Sequence, residues 1–194
     1  MSKYDLEEDF IAVSKALEEF RSMIHLVVEA GETAGVILEN GGSIFFCGNG
    51  GSAADSQHWA AELTGRFLFN RPAIRAVALT VDTSAITAIG NDFGFDEIFA
   101  RQLEGLARQG DLLIGITTSG NSRNILAAAK KMKSMGGKVV LFSGPNSGSI
   151  DSYADIVINC PGIRTDLIQD IQVLLGHSFC KVVEKYLVNN QGPK

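Results

Sequence analysis

The sequence predicts an α/β fold: a three-layer, doubly wound parallel sheet with helices on both faces and additional helices at the N-terminus. Three observations carry this. Short apolar runs alternate with helical patterns from residue 43 onward. The central runs are apolar at every position, as strands covered on both faces are. Two of the runs end in small, polar, glycine-containing loops that open helices, the place where such folds bind ligands. The chain of 194 residues, 45% hydrophobic and 20% charged, has enough apolar material to core one domain over residues 1–194.

Residues 5–28 place Leu6, Phe10, Val13, Leu17, Phe20 and Ile24 at three- and four-residue steps, which predicts an amphipathic helix. A second helix is expected over 32–39, stopped by Asn40-Gly41-Gly42. Together they make an N-terminal helical extension, 1–40, free to cover the sheet or to contact a partner chain. Strands are then expected at 43–47, 76–79, 111–117, 138–142 and 156–159. Helices are expected after residue 52, over 84–89 and 96–108, through residue 133, and over 165–188.

The net charge is −5, which leaves no basic footprint for nucleic acid or an anionic membrane. No apolar run approaches the ~20 residues of a membrane span. The N-terminal segment is acidic and lacks the apolar stretch of a secretory signal. Cys47, Cys160 and Cys180 are odd in number and show no metal-binding spacing, so they read as buried small hydrophobes in a reducing compartment. A cytoplasmic chain without nucleic-acid or membrane partners is the expectation.

The run ending at residue 117 leads into Thr117-Thr118-Ser119-Gly120-Asn121-Ser122 and a helix. Thr117, Thr118, Ser119 and Ser122 supply four hydroxyls, and the helix adds free N–H groups and its positive dipole end. One hydroxyl would suffice as a cap; four predict a phosphate cradle. The second loop, Gly48-Asn49-Gly50-Gly51-Ser52, loosely fits a dinucleotide fingerprint. No carboxylate stands ~20 residues on, where the chain reads Phe67-Leu68-Phe69. It reads better as a backbone lining for a small polar ligand, with the Asn49 side chain turned toward it.

His58 and Glu62 lie one helical turn apart on the helix that leaves this loop. The last helix is apolar nearly all round, yet Asp166, Gln169 and His177 share one of its faces. Buried polar groups need partners, and a shared active site would supply them. Gly176, beside His177, costs a helix about 1 kcal/mol against Ala, which predicts the close approach of another element.

In the stretches CGNGGSAADSQHWAAELTGRF, AIGNDFGFDEIFARQ, GDLLIGITTSGNSRN and IQDIQVLLGH the chain resembles the SIS (sugar isomerase) fold and, within it, the phosphoheptose isomerases. The resemblance spans nearly the whole chain. It implies interconversion of sedoheptulose 7-phosphate and a D-glycero-D-manno-heptose 7-phosphate, an aldose–ketose exchange through a cis-enediol(ate). It implies Glu62 and His177 as the acid–base pair, with Glu62 as base and His177 as acid. Asn49, Gly50, Gly51, Arg66, Asn91, Asp92, Asp166 and Gln169 would contact the sugar, and Thr117, Thr118, Ser119 and Ser122 its phosphate. The family usually has Ser where Thr117 stands, and the hydroxyl is kept. His58, Glu62, Gln169 and His177 match the family's zinc positions, one Zn²⁺ per subunit, and a homotetramer with sites at subunit interfaces is implied. Gln169 and His177 stand ~12 Å apart along a regular helix, which strains a four-ligand set. The alternative is a non-catalytic relative that binds the bacterial replication initiator; such relatives lack the full acid–base set.

Overall fold

A computed structural model describes residues 6–162 and 164–190; the expected first residue of the opening helix, residue 5, lies outside them. The elements in order are α1 (Leu6–Phe20), α2 (Ile24–Glu39), β1 (Ile44–Gly48), α3 (Gly51–Thr64), β2 (Ala76–Ala78), α4 (Thr83–Phe93), α5 (Ala100–Leu106), β3 (Leu112–Ile116), α6 (Arg123–Ser134), β4 (Lys138–Ser143), β5 (Ile156–Asn159) and α7 (Thr165–Asn190), with short 3₁₀ turns between some of them. The five strands form one parallel sheet in the order β2-β1-β3-β4-β5. This is the doubly wound arrangement expected, with the helical extension in front of it.

The apolar runs become strands because both faces of the sheet are covered. Every residue of β1 and β3 is buried, whereas the edge strands β2 and β5 alternate. Successive residues serve opposite layers, as the pleat requires. Ile44, Phe46, Leu112, Ile114 and Phe142 pack with α1, α2, α3 and α7. Phe45, Cys47, Leu113, Val139 and Leu141 pack with α5 and α6. Cys47, Cys160 and Cys180 are all reduced and buried.

The N-terminal helices break elsewhere than expected. The expected gap between residues 28 and 32 is continuous helix, and the break is the 3₁₀ turn Arg21–Met23. Gly31 and Gly35 stay helical because α7 crosses them closely. A Cβ on Gly31 would stand 2.5 Å from Val182 Cγ1, and one on Gly35 would run into the ring of Tyr186. Packing against α7 outweighs the modest helix penalty of two glycines. The helix expected over 96–108 is likewise divided, into a turn at Phe95–Glu97 and the shorter α5, because Gly94 turns with φ 92° ahead of it and Ala107 is extended behind it.

The predicted close approach at Gly176 is made by Trp59. The indole, fully buried on α3, lies where a Cβ at 176 would be. Phe46 meets it edge-on at 6.3 Å between centroids and Phe142 at 4.9 Å, and Phe179 closes the cluster against those two rings. Gly176→Ala therefore overpacks the α3–α7 seam by about 1–3 kcal/mol, partly offset by better helix propensity. The expected outcome is a melting temperature lower by about 2–8 °C, read by differential scanning calorimetry; an unchanged or raised value would show that the seam can open without cost.

Candidate active site

The carboxyl ends of β1 and β3 are neighbours, and here the strand order reverses direction from the centre of the sheet. The loops that leave them diverge and open a crevice. A cavity of about 260 Å³ lies there, lined by Asn49, Gly50, Gly51, Ser52, Thr117, Thr118, Ser122, Thr165 and Gln169 among others.

The loop after β1 turns at Gly50, whose φ of 57° favours glycine, and α3 starts at once. No side chain caps that helix; the N–H groups of Ser52 and Ala53 turn back to the carbonyls of Asn49 and Gly50, at 3.1 and 3.0 Å, and the loop backbone itself lines the cavity. Across the crevice the hydroxyls cluster. Thr117 Oγ1 lies 3.3 Å from Ser122 Oγ and 3.5 Å from Ser119 Oγ. Ser122 occupies the N-cap position of α6, yet its side chain makes no capping bond there. The hydroxyl turned toward Thr117 remains available to a ligand. The cluster is held from below by Gln172, fully buried on α7, which donates to the carbonyls of Thr117 at 2.8 Å and Phe142 at 3.3 Å. Asn49 and buried Asn124 exchange amide hydrogen bonds of 2.9 and 2.8 Å, tying the two loops together. Sequence reading missed Gln172 and Asn124; their polarity within an apolar stretch was the available signal.

Two turns further along α3 and α7 a second set converges. His58 Nε2 lies 3.2 Å from Glu62 Oε1 and 3.3 Å from His177 Nε2. One ligand atom from each of the three lies within 4.8 Å of the others. Two imidazoles and a carboxylate at this spacing suit a divalent cation of the zinc type, with room for a further ligand. His58 is partly exposed and Glu62 less so, which leaves the cluster reachable. The fourth residue expected with them, Gln169, rests its amide against Gly51, 2.7 Å from a Cβ there, and so faces the cradle.

Of the remaining expected residues, Ser119 sits at the rim of the hydroxyl cluster. Arg66 is exposed just beyond α3, and Asn91 and Asp92 are exposed at the end of α4, bonded to each other at 2.8 Å. Asp166 is exposed and paired with Arg164, whose guanidinium holds the carboxyl down at about 2. None of these four lines the cavity formed by one chain.

Residues 10–144 match the SIS domain family. A phosphoheptose isomerase of Akkermansia muciniphila is 44% identical over 185 residues, covering 95% of this chain and 97% of that one. One of Solidesulfovibrio magneticus is 48% identical over 168 residues, 87% of this chain and 82% of that one. The solved phosphoheptose isomerase of Neisseria gonorrhoeae superposes with a TM-score of 0.87 at 41% identity, over 94% of this chain and 99% of that one.

One buried carboxylate stands beside the site. Asp55 lies one turn before His58 on α3, with Oδ2 buried and unpartnered among the described residues. Burial pushes its carboxyl from the ordinary 3.8 up to about 6, outweighing the opposite pull of His58. The folded chain thus prefers Asp55 neutral. Its contribution is full below about pH 4 and is lost as pH rises through about 6, to a ceiling of about 3 kcal/mol. Asp55→Asn should flatten that part of the stability profile, measured by urea unfolding at pH 4, 6 and 8; an equal slope in the variant would assign the dependence to other groups.

Proposed function

The chain belongs to the SIS domain family, and from that footing we infer that it is a phosphoheptose isomerase, interconverting sedoheptulose 7-phosphate and D-glycero-D-manno-heptose 7-phosphate. The observation that carries this reading is the pairing of two sites along the same two helices. A cradle of hydroxyls and N–H groups lies at the start of α3 and α7, and an acid–base cluster lies two turns in. Seven residues separate Gly51 from His58 and eight separate Gln169 from His177, ~10–12 Å of helix. That is the length of an open seven-carbon sugar ending in a phosphate.

The phosphate is bound by Thr117, Thr118, Ser119 and Ser122 with the N-terminal N–H groups of α3 and α6. Asn49, Gly50, Gly51 and Gln169 line the path of the sugar. Glu62 takes the proton from the carbon next to the carbonyl, giving the enediol(ate). His177 shuttles the proton between the oxygens and completes the exchange. The proton removed at one carbon is returned to its neighbour, so the reaction is redox-neutral overall. His58, with Glu62 and His177, would hold one Zn²⁺, which when bound supplies positive charge beside the carbonyl and hydroxyl oxygens.

The assembly is a homotetramer with sites completed at subunit interfaces. Arg66, Asn91, Asp92 and Asp166 lie outside the one-chain cavity, where a neighbouring chain could bring them to the sugar. Apolar side chains for such contacts are exposed on the extension: Leu6, Phe10, Ile11, Ile24 and Val28. A cytoplasmic location agrees with three reduced cysteines, and among the described residues no helix is long and apolar enough to cross a membrane. The initiator-binding alternative gains nothing from the site, since both acid–base residues are present and converge.

Glu62→Gln should leave KM for sedoheptulose 7-phosphate within a few-fold and lower kcat by about 10²–10⁴-fold; near-normal turnover would remove Glu62 from the chemistry. Protein purified without chelators should carry close to one zinc per chain by elemental analysis, lose it in His58→Ala, and recover activity on zinc addition after chelation. Full activity in metal-free protein would refute the zinc assignment.

A further inference from the structure

The catalytic imidazole is held in place by a loop, and the loop is held by a buried ion pair that no step of the reaction uses. Glu184 lies on α7, two turns beyond His177, and its carboxylate is completely buried. It accepts hydrogen bonds from three successive backbone N–H groups, Phe67 at 3.1 Å, Leu68 at 2.7 Å and Phe69 at 3.2 Å, and from Arg71 Nε at 2.8 Å. Arg71 in turn donates to the carbonyls of Glu62 at 2.9 Å, Leu63 at 2.7 Å, Gly65 at 3.1 Å and Pro72 at 3.1 Å. The guanidinium thus closes the C-terminal end of α3, where orphan carbonyls need donors. One carboxylate and one guanidinium fix the chain from residue 62 to 72 against α7.

The consequence falls on His177. Phe67, the first residue clamped, lays its ring parallel to the imidazole at 5.5 Å between centroids and 10° between planes. His58 meets the same ring edge-on at 4.9 Å. His177 therefore stands between two rings, one set by α3 itself and the other by the Glu184 clamp. Half-buried side chains on a loop are ordinarily free to change rotamer; a buried, fully bonded carboxylate anchoring three consecutive N–H groups removes that freedom. The clamp also fixes the backbone of Glu62, the partner of His177.

We propose that Phe67 is a positioning residue for His177, set by the buried Glu184–Arg71 pair. The proposal rests on His177 serving as the acid of the isomerisation. A misplaced imidazole lowers the rate of proton transfer while the phosphate cradle still binds the substrate.

Steady-state kinetics of the full chain with sedoheptulose 7-phosphate, normalised to the folded fraction by circular dichroism, test it. Phe67→Leu removes the planar contact and keeps an apolar side chain. The expected result is a kcat lower by about tenfold with KM within about twofold. Phe67→Tyr restores the flat ring and should return kcat to within about twofold of the parent. Glu184→Gln turns an amide N–H toward the same donors and should lower kcat in the same manner; should that chain fail to fold, the Phe67 pair decides. Unchanged kcat in Phe67→Leu, or a Tyr variant no better than Leu, overturns the proposal. His177→Gln separates the two levels of the argument: if it retains full kcat, the acid assignment falls and the positioning role with it. If it is inactive while Phe67→Leu is normal, the positioning role alone falls.

Discussion

The seam between α3 and α7 closes on Trp59 and Gly176. A large indole fits against a residue with no side chain, and the helices approach within the reach of short polar groups. The pairing of the two imidazoles follows from that distance. His58 lies one position before Trp59 and His177 one after Gly176, so the contact that seats the indole also brings the two imidazoles to 3.3 Å. The apolar ring of Phe46, Phe142 and Phe179 supplies the driving force, and such an aromatic cluster is worth several kcal/mol when its central member is whole. The convergence of the two imidazoles is therefore a by-product of core packing one residue away.

The same seam gives the site its length. α3 and α7 both begin at the carboxyl edge of the sheet and run in the same direction, with Gly51 facing Gln169 at one end and His58 facing His177 at the other. Helix N-termini suit an anion, and side chains two turns further in are removed from that field. The hydroxyl cradle and the His58–Glu62–His177 cluster are separated along one axis, by an interval that the helical rise fixes.

Much of this was legible in the sequence. The parallel sheet could be read because β1 and β3 are apolar at every position and the loops after them are small and polar. The hydroxyl loop stood out because it offers more oxygen than a helix cap needs, and Ser122 sits at the cap position without a capping bond. Gly176 announced a close neighbour because a glycine inside a buried helix is otherwise a loss. The gap expected between residues 28 and 32 was not there, because α7 crosses Gly31 closely and the helix runs through it. Glu184 and Gln172 were hidden because their partners, mostly backbone groups, lie thirty or more residues away in the chain, and a one-dimensional pattern holds no trace of them. Arg66, Asn91 and Asp92 came from resemblance alone, and a single chain leaves them on its surface.

The three thiols close the account in another way. Cys47 lies in a central strand, Cys180 in the seam with its Sγ–H directed at the carbonyl of Trp59, and Cys160 at the far end of the sheet. Burial pushes all three well above the range in which a thiolate forms in neutral solution. Intact molecules should thus be inert to iodoacetamide and to air, while any opening of the sheet or of the α3–α7 contact presents a sulfur for labelling. Alkylation rates at the three positions would chart separately how often each region breathes.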